Sequence, residues 1–304
     1  MRRFQPPRVA SKTPIGSADR RVTVAARRDN APITPIAYLS KIIMPFNLAV
    51  TQALLDDFFF RRILLRFNSP APAAGQYGWL REDQAITLSR QLTIEQNVGL
   101  YGGAYAPMVG GMPSSGLCSI GAFSYSYSPL PDYLKVGRYC SISTGLRFID
   151  SHHPTHAITT SAMTFRPHNH LFADHVTDAV RKFAEKFQVG GEKPAPVIEH
   201  DVWIGANVTL SMGITLGTGS IVAANSTVTK STPPYAIVGG NPAVIIGFRI
   251  AHELIPALLS TRWWDHRPDQ VFALGFDDPA TFVDAFSAQR PDPMAFDSIL
   301  LAPP

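Results

Sequence analysis

Between Ile198 and Arg249 the chain keeps a six-residue beat. Ile198, Ile204, Leu210, Leu216, Val222 and Val228 follow one another at that spacing, and Val202, Val208, Ile214, Ser220, Ser226 and Thr232 stand four places after each. If about a quarter of positions in an ordinary chain are Ile, Leu or Val, six in a row at fixed spacing arise by chance roughly once in a few thousand per register. A period of six fits neither the turn of an α-helix nor the alternation of a flat sheet, but it fits a short strand plus a corner wound around a prism. Three such sides close one coil. Small or turn-forming residues, Gly205, Asn207, Gly213, Gly217, Gly219 and Asn225, supply the bends. Each coil then buries its aliphatic stack against the next, and stability accumulates by neighbour stacking.

The beat returns earlier in the chain at Leu88, Ile94 and Leu100, with Leu92, Val98 and Ala104 four places on, and again at Ile120, Val136, Ile142 and Phe148. It stops between Phe148 and Ile198, a gap far longer than a corner needs, and such insertions serve function or are disordered. This one holds His152, His153, His156, His168, His170 and His175. Within it Val176, Val180, Phe183 and Phe187 are spaced like one helical face, which predicts a helix over about 174–187. Residues 36–66 also read as helical, closed by a Pro/Ala/Gly linker from Pro70 to Gly75. After Arg249 the pattern is helical again, and Ile250, Leu254, Leu258, Trp263 and Trp264 are expected to cap the open end of the prism, because a terminal coil otherwise exposes its stack. Two short helices are expected over 268–289, and a frayed tail after them. Gly102 to Gly116 lacks the Lys-Ser/Thr of a phosphate loop and reads as a connection between coils.

The net charge of +4 is carried by the start of the chain. Arg2, Arg3, Arg8, Lys12, Arg20, Arg21, Arg27 and Arg28 stand there against Asp19 and Asp29, so the rest is slightly acidic. That argues against a nucleic-acid partner, which needs a basic folded face. The tail itself reads as a solvated leader, with attraction to an anionic membrane face or acidic glycan as the sharper alternative. Two cysteines, Cys118 and Cys140, make no disulfide framework. The N-terminal arginines precede no apolar run, and Asp56, Asp57, Arg61 and Arg62 break the best spanning candidate, so no signal peptide or membrane helix is expected and the cytoplasm is the default.

Several runs resemble the hexapeptide-repeat O-acetyltransferases of the xenobiotic, chloramphenicol and streptogramin type: V-G-R-Y-C-S-I-S from Val136, D-V-W-I-G-A-N-V from Asp201, I-V-A-A-N-S-T-V-T-K from Ile221, P-P-Y-A-I-V-G-G-N-P-A from Pro233, and R-W-W-D from Arg262. The resemblance covers roughly residues 118–270 and implies a mainly β fold: a left-handed parallel β-helix of hexapeptide repeats with an inserted active-site loop, an N-terminal helical segment and C-terminal helices. The expected organisation is a basic tail over 1–35, a helical segment and linker over 36–80, the β-helix over 81–250 with its insertion at 149–197, and a helical cap and tail over 251–304. It also implies an acetyl-CoA-dependent enzyme, a homotrimer with sites between subunits, and no metal.

Acetyl transfer to a hydroxyl needs a base, an oxyanion donor and a groove for the carrier, and histidine is the natural base. In the resembling family the catalytic histidine is followed by an aliphatic residue five places on and a Thr seven places on, a spacing that His153 meets with Ile158 and Thr160. The same resemblance assigns Ala206 and Ala224 to the pantetheine arm and Thr229 and Lys230 to the nucleotide end of CoA. Where many relatives follow N-P-A with Lys or Arg, this chain has Val244, and Arg249 is the candidate to replace the lost phosphate contact. No Ser or Cys stands in a nucleophile motif, so direct transfer is expected. Trp203, Trp263 and Trp264 are read as core residues, and Phe123, Tyr125 and Tyr127 as candidates for the acceptor cleft. The acceptor is read as a sugar hydroxyl on a glycan or its precursor, with an antibiotic hydroxyl second. Two other classes stay open: a metal-dependent lyase resembling the γ-class carbonic anhydrases, using His153, His170 and His175, and a non-catalytic β-helix used for assembly.

Overall fold

The computed structural model describes residues 45–67, 75, 77–107, 115–149, 151–191 and 193–303. The basic tail, most of the Pro70–Gly75 linker and the middle of the glycine-rich connection lie outside them. From Ile63 to Phe248 the chain winds as a parallel β-helix with three faces. On the first face Tyr125–Ser126, Ser141–Ile142, Trp203–Ile204, Ile221–Val222 and Ala236–Gly240 pair in succession; on the second, Leu92–Glu95, Ser119–Ile120, Lys135–Val136, Val197–Ile198 and Thr215–Leu216; on the third, Arg147–Ile149, Thr209–Ser211 and Thr227–Val228. Val197 pairs with Thr215, Trp203 with Ile221 and Thr209 with Thr227, one full coil apart in each case. The six beat residues from Ile198 to Val228 are at most 2% exposed, and the six that follow them at four places are all buried.

The corners show why the beat is six. Asp201, Asn207, Gly213, Gly219 and Asn225, each six from the last, all take positive φ, between 53° and 77°. This left-handed conformation turns the chain from one face to the next, and Gly or Asn adopts it most cheaply. Gly205 and Gly217 are needed for another reason: a Cβ at Gly205 would meet the Ala224 nitrogen at 2.6 Å, and one at Gly217 the Thr232 carbonyl oxygen at 2.7 Å. Along one corner the column runs Asn97, Phe123, Tyr139, Asp201, Gly219, Tyr235, joined by backbone hydrogen bonds between successive coils. Three of these are aromatic residues at positive φ, a choice that composition does not suggest.

The ends differ from expectation. Residues 45–66 are not one helix: Phe46–Ala49 is a strand antiparallel to Ala85–Leu88, α1 (Gln52–Phe60) is capped by Thr51, and Ile63–Leu64 pairs with Val98–Leu100 as the first rung of the prism. Tertiary pairing outweighed the local helical pattern here. Ala104 is exposed, and Tyr105 is buried beside it. The helical layer, α3 (Ile255–Thr261), α4 (Pro268–Ala273) and α5 (Pro279–Gln289), docks on the aromatic corner, where Tyr235 packs with Ile255, Leu258, Val271 and Phe282, and Tyr139 lies 4.8 Å from the Trp263 ring. The tail is not frayed: Ser298–Leu301 returns to pair antiparallel with Leu92–Glu95 and buries Leu301. It closes the N-terminal edge of the second face.

Candidate active site

The insertion leaves the third face after Ile149 and rejoins the second at Val197. Its helix, α2 (Asp178–Gly191), packs Val180, Phe183 and Phe187 inward at helical spacing. Three loop histidines rest on this layer: His152 against Phe187 at 5.2 Å, His156 against Phe183 at 5.9 Å, and His153 against Phe165 at 4.7 Å. One of them differs. His153 Nδ1 lies 2.6 Å from the Thr160 carbonyl oxygen. A carbonyl only accepts, so Nδ1 carries the proton and Nε2 keeps its lone pair for an incoming one. The side chain is exposed.

Ala206 and Ala224 stack at the corner between the first and third faces, tied by Asn225 N–H donating to the Ala206 carbonyl at 2.8 Å. Ala224 is exposed and Ala206 half-buried. Thr229 and Lys230, both exposed, follow Thr227–Val228 on the same coil as Ala224. Arg249 is parted from them. Its guanidinium is engaged at the aromatic corner by the Asp201 carboxylate at 2.9 Å and the Gly219 carbonyl at 2.8 Å, so a phosphate would have to compete for it. Burial raises the Asp201 pKa, and Arg249 opposes that shift.

The three tryptophans separate. Trp264 is buried and stacks on His200 at 4.9 Å, and Trp263 is partly buried within the helical layer. Trp203, expected in the core, is 54% exposed, because it precedes the inward Ile204 on a two-residue strand and side chains alternate. On the same face Tyr125 and Tyr127 are exposed and form an aromatic patch with Tyr101 and Phe67, with ring centroids 5.4–6.5 Å apart. Phe123 is not in that patch; it turns the corner and stacks on Tyr139 at 4.9 Å.

Behind the second face Arg138 is the hub of an ionic network. Its Nε and Nη2 donate to Glu95 at 2.7 Å each, and Nη1 donates to Asp265 at 2.5 Å. Burial works against its charge, but the hydrogen bonds to Glu95 and the charges of Glu95 and Asp265 outweigh that and raise its pKa. Beside it His200 Nδ1 accepts the Arg138 N–H at 3.2 Å, and burial lowers the imidazole pKa. Both cysteines are free and buried; burial pushes the Cys140 thiol up to about 12 and raises Cys118 as well, which makes poor nucleophiles of both. His170 and His175 bound a 3₁₀ turn, and among the described residues no group of three His, Cys, Asp or Glu side chains is placed to hold a metal ion.

Residues 197–230 match the family model described as the hexapeptide repeat of succinyl-transferase. Over 153 residues the chain is 37% identical to a probable macrolide acetyltransferase of Lysinibacillus sphaericus, an overlap covering 49% of this chain and 78% of that protein. The chain belongs to the hexapeptide-repeat acetyltransferases. This acetyltransferase is also 36% identical over 141 residues to a chloramphenicol acetyltransferase of Escherichia coli, covering 46% of its own length and 63% of that relative, a little under two thirds. Among solved structures, a hexapeptide-repeat acetyltransferase of Vibrio cholerae crystallised with acetyl-CoA is 26% identical over 44% of this chain and 61% of that one, with a TM-score of 0.29. In this acetyltransferase, sequence reasoning passed over Tyr101 and Phe67 and the Arg138 hub. The Arg138 hub joins three distant stretches, so no local spacing announces it.

Proposed function

We propose that this acetyltransferase is a left-handed β-helix enzyme that moves the acetyl group of acetyl-CoA directly to an acceptor hydroxyl, with His153 as the general base. The observation that carries this is the Nδ1–H hydrogen bond to the Thr160 carbonyl, which among the three loop histidines fixes the tautomer of His153. The hydroxyl gives its proton to Nε2 as its oxygen attacks the thioester carbonyl; the C–S bond then breaks, and the imidazolium returns the proton to the CoA thiolate. Ala206 and Ala224 line the pantetheine arm, and Lys230 takes the nucleotide phosphates. Arg249 is a poorer candidate because it is already paired.

A homotrimer completes the site in this reading. His153 projects on an insertion from the third face, whereas Ala206 and Ala224 stack at a corner, and the insertion also presents Ile158 and Leu171, 106% and 77% exposed, as apolar side chains for a neighbour to cover. For the acceptor, the names of the relatives favour an antibiotic hydroxyl of macrolide or chloramphenicol type. A sugar hydroxyl is the second reading, favoured by the exposed Tyr125, Tyr127 and Phe67 rings and the half-buried Tyr101 between them, which suit stacking against a pyranose face.

Thiol release from acetyl-CoA with chloramphenicol, a macrolide or a free sugar as acceptor tests both parts. His153→Ala is expected to lower kcat by roughly 10²–10⁴-fold with acetyl-CoA binding nearly kept, while His152→Ala and His156→Ala lose far less. Near-parent turnover in His153→Ala would remove it as the base.

A further inference from the structure

Chains that form sheets guard their edges, and this one guards one end with care. At the N-terminal end Ser298–Leu301 is brought back from the end of the chain to cover the second face. At the other end of the first face lies Ala243–Phe248, the outermost strand, antiparallel to Ala236–Gly240. Among the described residues no strand pairs with its outer edge. Val244, Ile245, Ile246 and Phe248 are 60%, 51%, 63% and 37% exposed, and no charge or proline lies between Ala243 and Phe248. Lysine, proline or a bulge normally blunts such an edge; this one has a single register shift, which leaves Ile246 without a partner on Ala236–Gly240, and neither lysine nor proline. Here the position expected to carry Lys or Arg is Val244, and the helices expected to cap this end are docked on the aromatic corner.

We propose that this edge pairs with the same edge of a second copy, antiparallel across a two-fold axis. A two-fold rotation makes any edge strand an antiparallel neighbour of itself, so the N–H and C=O groups of the two edges face one another on either side of the register shift at Ile246. The surface is self-complementary because it carries no charge, and Arg249, the next cation along the chain, is neutralised by Asp201, which disfavours an anionic membrane as the occupant. The four side chains offer roughly 300–400 Å² per copy, so one pair buries roughly 700 Å², less than a standard stable interface of about 1,600 Å². Backbone pairing adds to that for two single chains. If the trimer proposed above forms, three such edges act together and reach the size of a permanent interface.

Sedimentation equilibrium of the full chain tests the proposal. The mass should correspond to an even number of chains, six with the trimer and two without it, so failure of the trimer reading leaves this one distinguishable. Ile245→Lys with Ile246→Lys should halve the mass while far-UV circular dichroism and thiol-release turnover stay at parent values. A second readout needs no variant: outward-facing amides of residues 243–248 should be protected from hydrogen exchange at high protein concentration and lose that protection on dilution. A mass of an odd number of chains, a mass unchanged by the lysines, or rapid exchange of those amides at every concentration would overturn it.

Discussion

Arg138→Met should loosen the C-terminal layer from the prism before it loosens the prism itself. The side chains of Arg138, Glu95 and Asp265 are 19%, 19% and 24% exposed, so the substitution strands two largely buried carboxylates and removes three charge-assisted hydrogen bonds. It also removes the guanidinium that lies 3.7 Å over the Phe296 ring. Breaking such a pair costs about 3–5 kcal/mol when fully buried. Here Glu95 keeps a bond from Ala122 N–H and Asp265 keeps Arg262, so about 2–4 kcal/mol is expected. The assay is urea unfolding followed by two probes. Tryptophan fluorescence, read in a Trp79→Phe, Trp203→Phe background so that Trp263 and Trp264 alone emit, reports the docked layer, and far-UV circular dichroism reports the coils. The fluorescence midpoint should fall more than the dichroism midpoint. Adding Glu95→Gln should recover part of the loss, because one stranded charge is gone. A loss below about 1 kcal/mol, or equal shifts of the two probes, would refute the view that Arg138 clamps the layer to the coils.

Three further outcomes follow from particular contacts. Burial lowers the His200 pKa, so its neutral native ring contributes stability that is fully present above the ordinary histidine value of about 6.5 and is lost as pH falls through the lowered native value; His200→Asn, which keeps an acceptor for Arg138 N–H, should flatten the fall in urea midpoint between about pH 7.5 and about pH 5. Gly205→Ala drives a Cβ against Ala224 backbone and should cost about 3 kcal/mol by urea titration, whereas Gly213→Ala meets a flexible Lys193 side chain and should cost about 1 kcal/mol for its positive φ. Removing residues 297–304 bares the Leu92–Glu95 edge and should raise light scattering on concentration, while a clear solution at parent concentrations would deny the edge-closing role.

The repeat was legible in the sequence because every coil asks the same local question of the chain. An inward aliphatic at each short strand and a residue tolerant of positive φ at each corner recur at fixed spacing, and burial of Ile198 through Val228 follows from that alone. The pairing of His153 with Thr160 lies within reach of a local spacing, since the hydrogen bond closes over seven residues, while the role of His153 as base is the proposal that the His153→Ala assay tests. Three features depended on the tertiary structure. The first was the order of Ile63–Leu64 and Phe46–Ala49, whose partners on other strands lie well along the chain and outweigh a helical pattern. The second was the seating of α3, α4 and α5 on a corner built from Phe123, Tyr139 and Tyr235, whose positive φ points their rings outward to be covered. The third was the exposure of Trp203, read as a core residue but turned to solvent by the alternation of a two-residue strand, and of Val244–Ile246, which follow one another on an outermost strand that no further strand covers among the described residues. Composition assigns a residue its preference for burial, but a strand's alternation and the presence of a neighbour decide whether that preference is met.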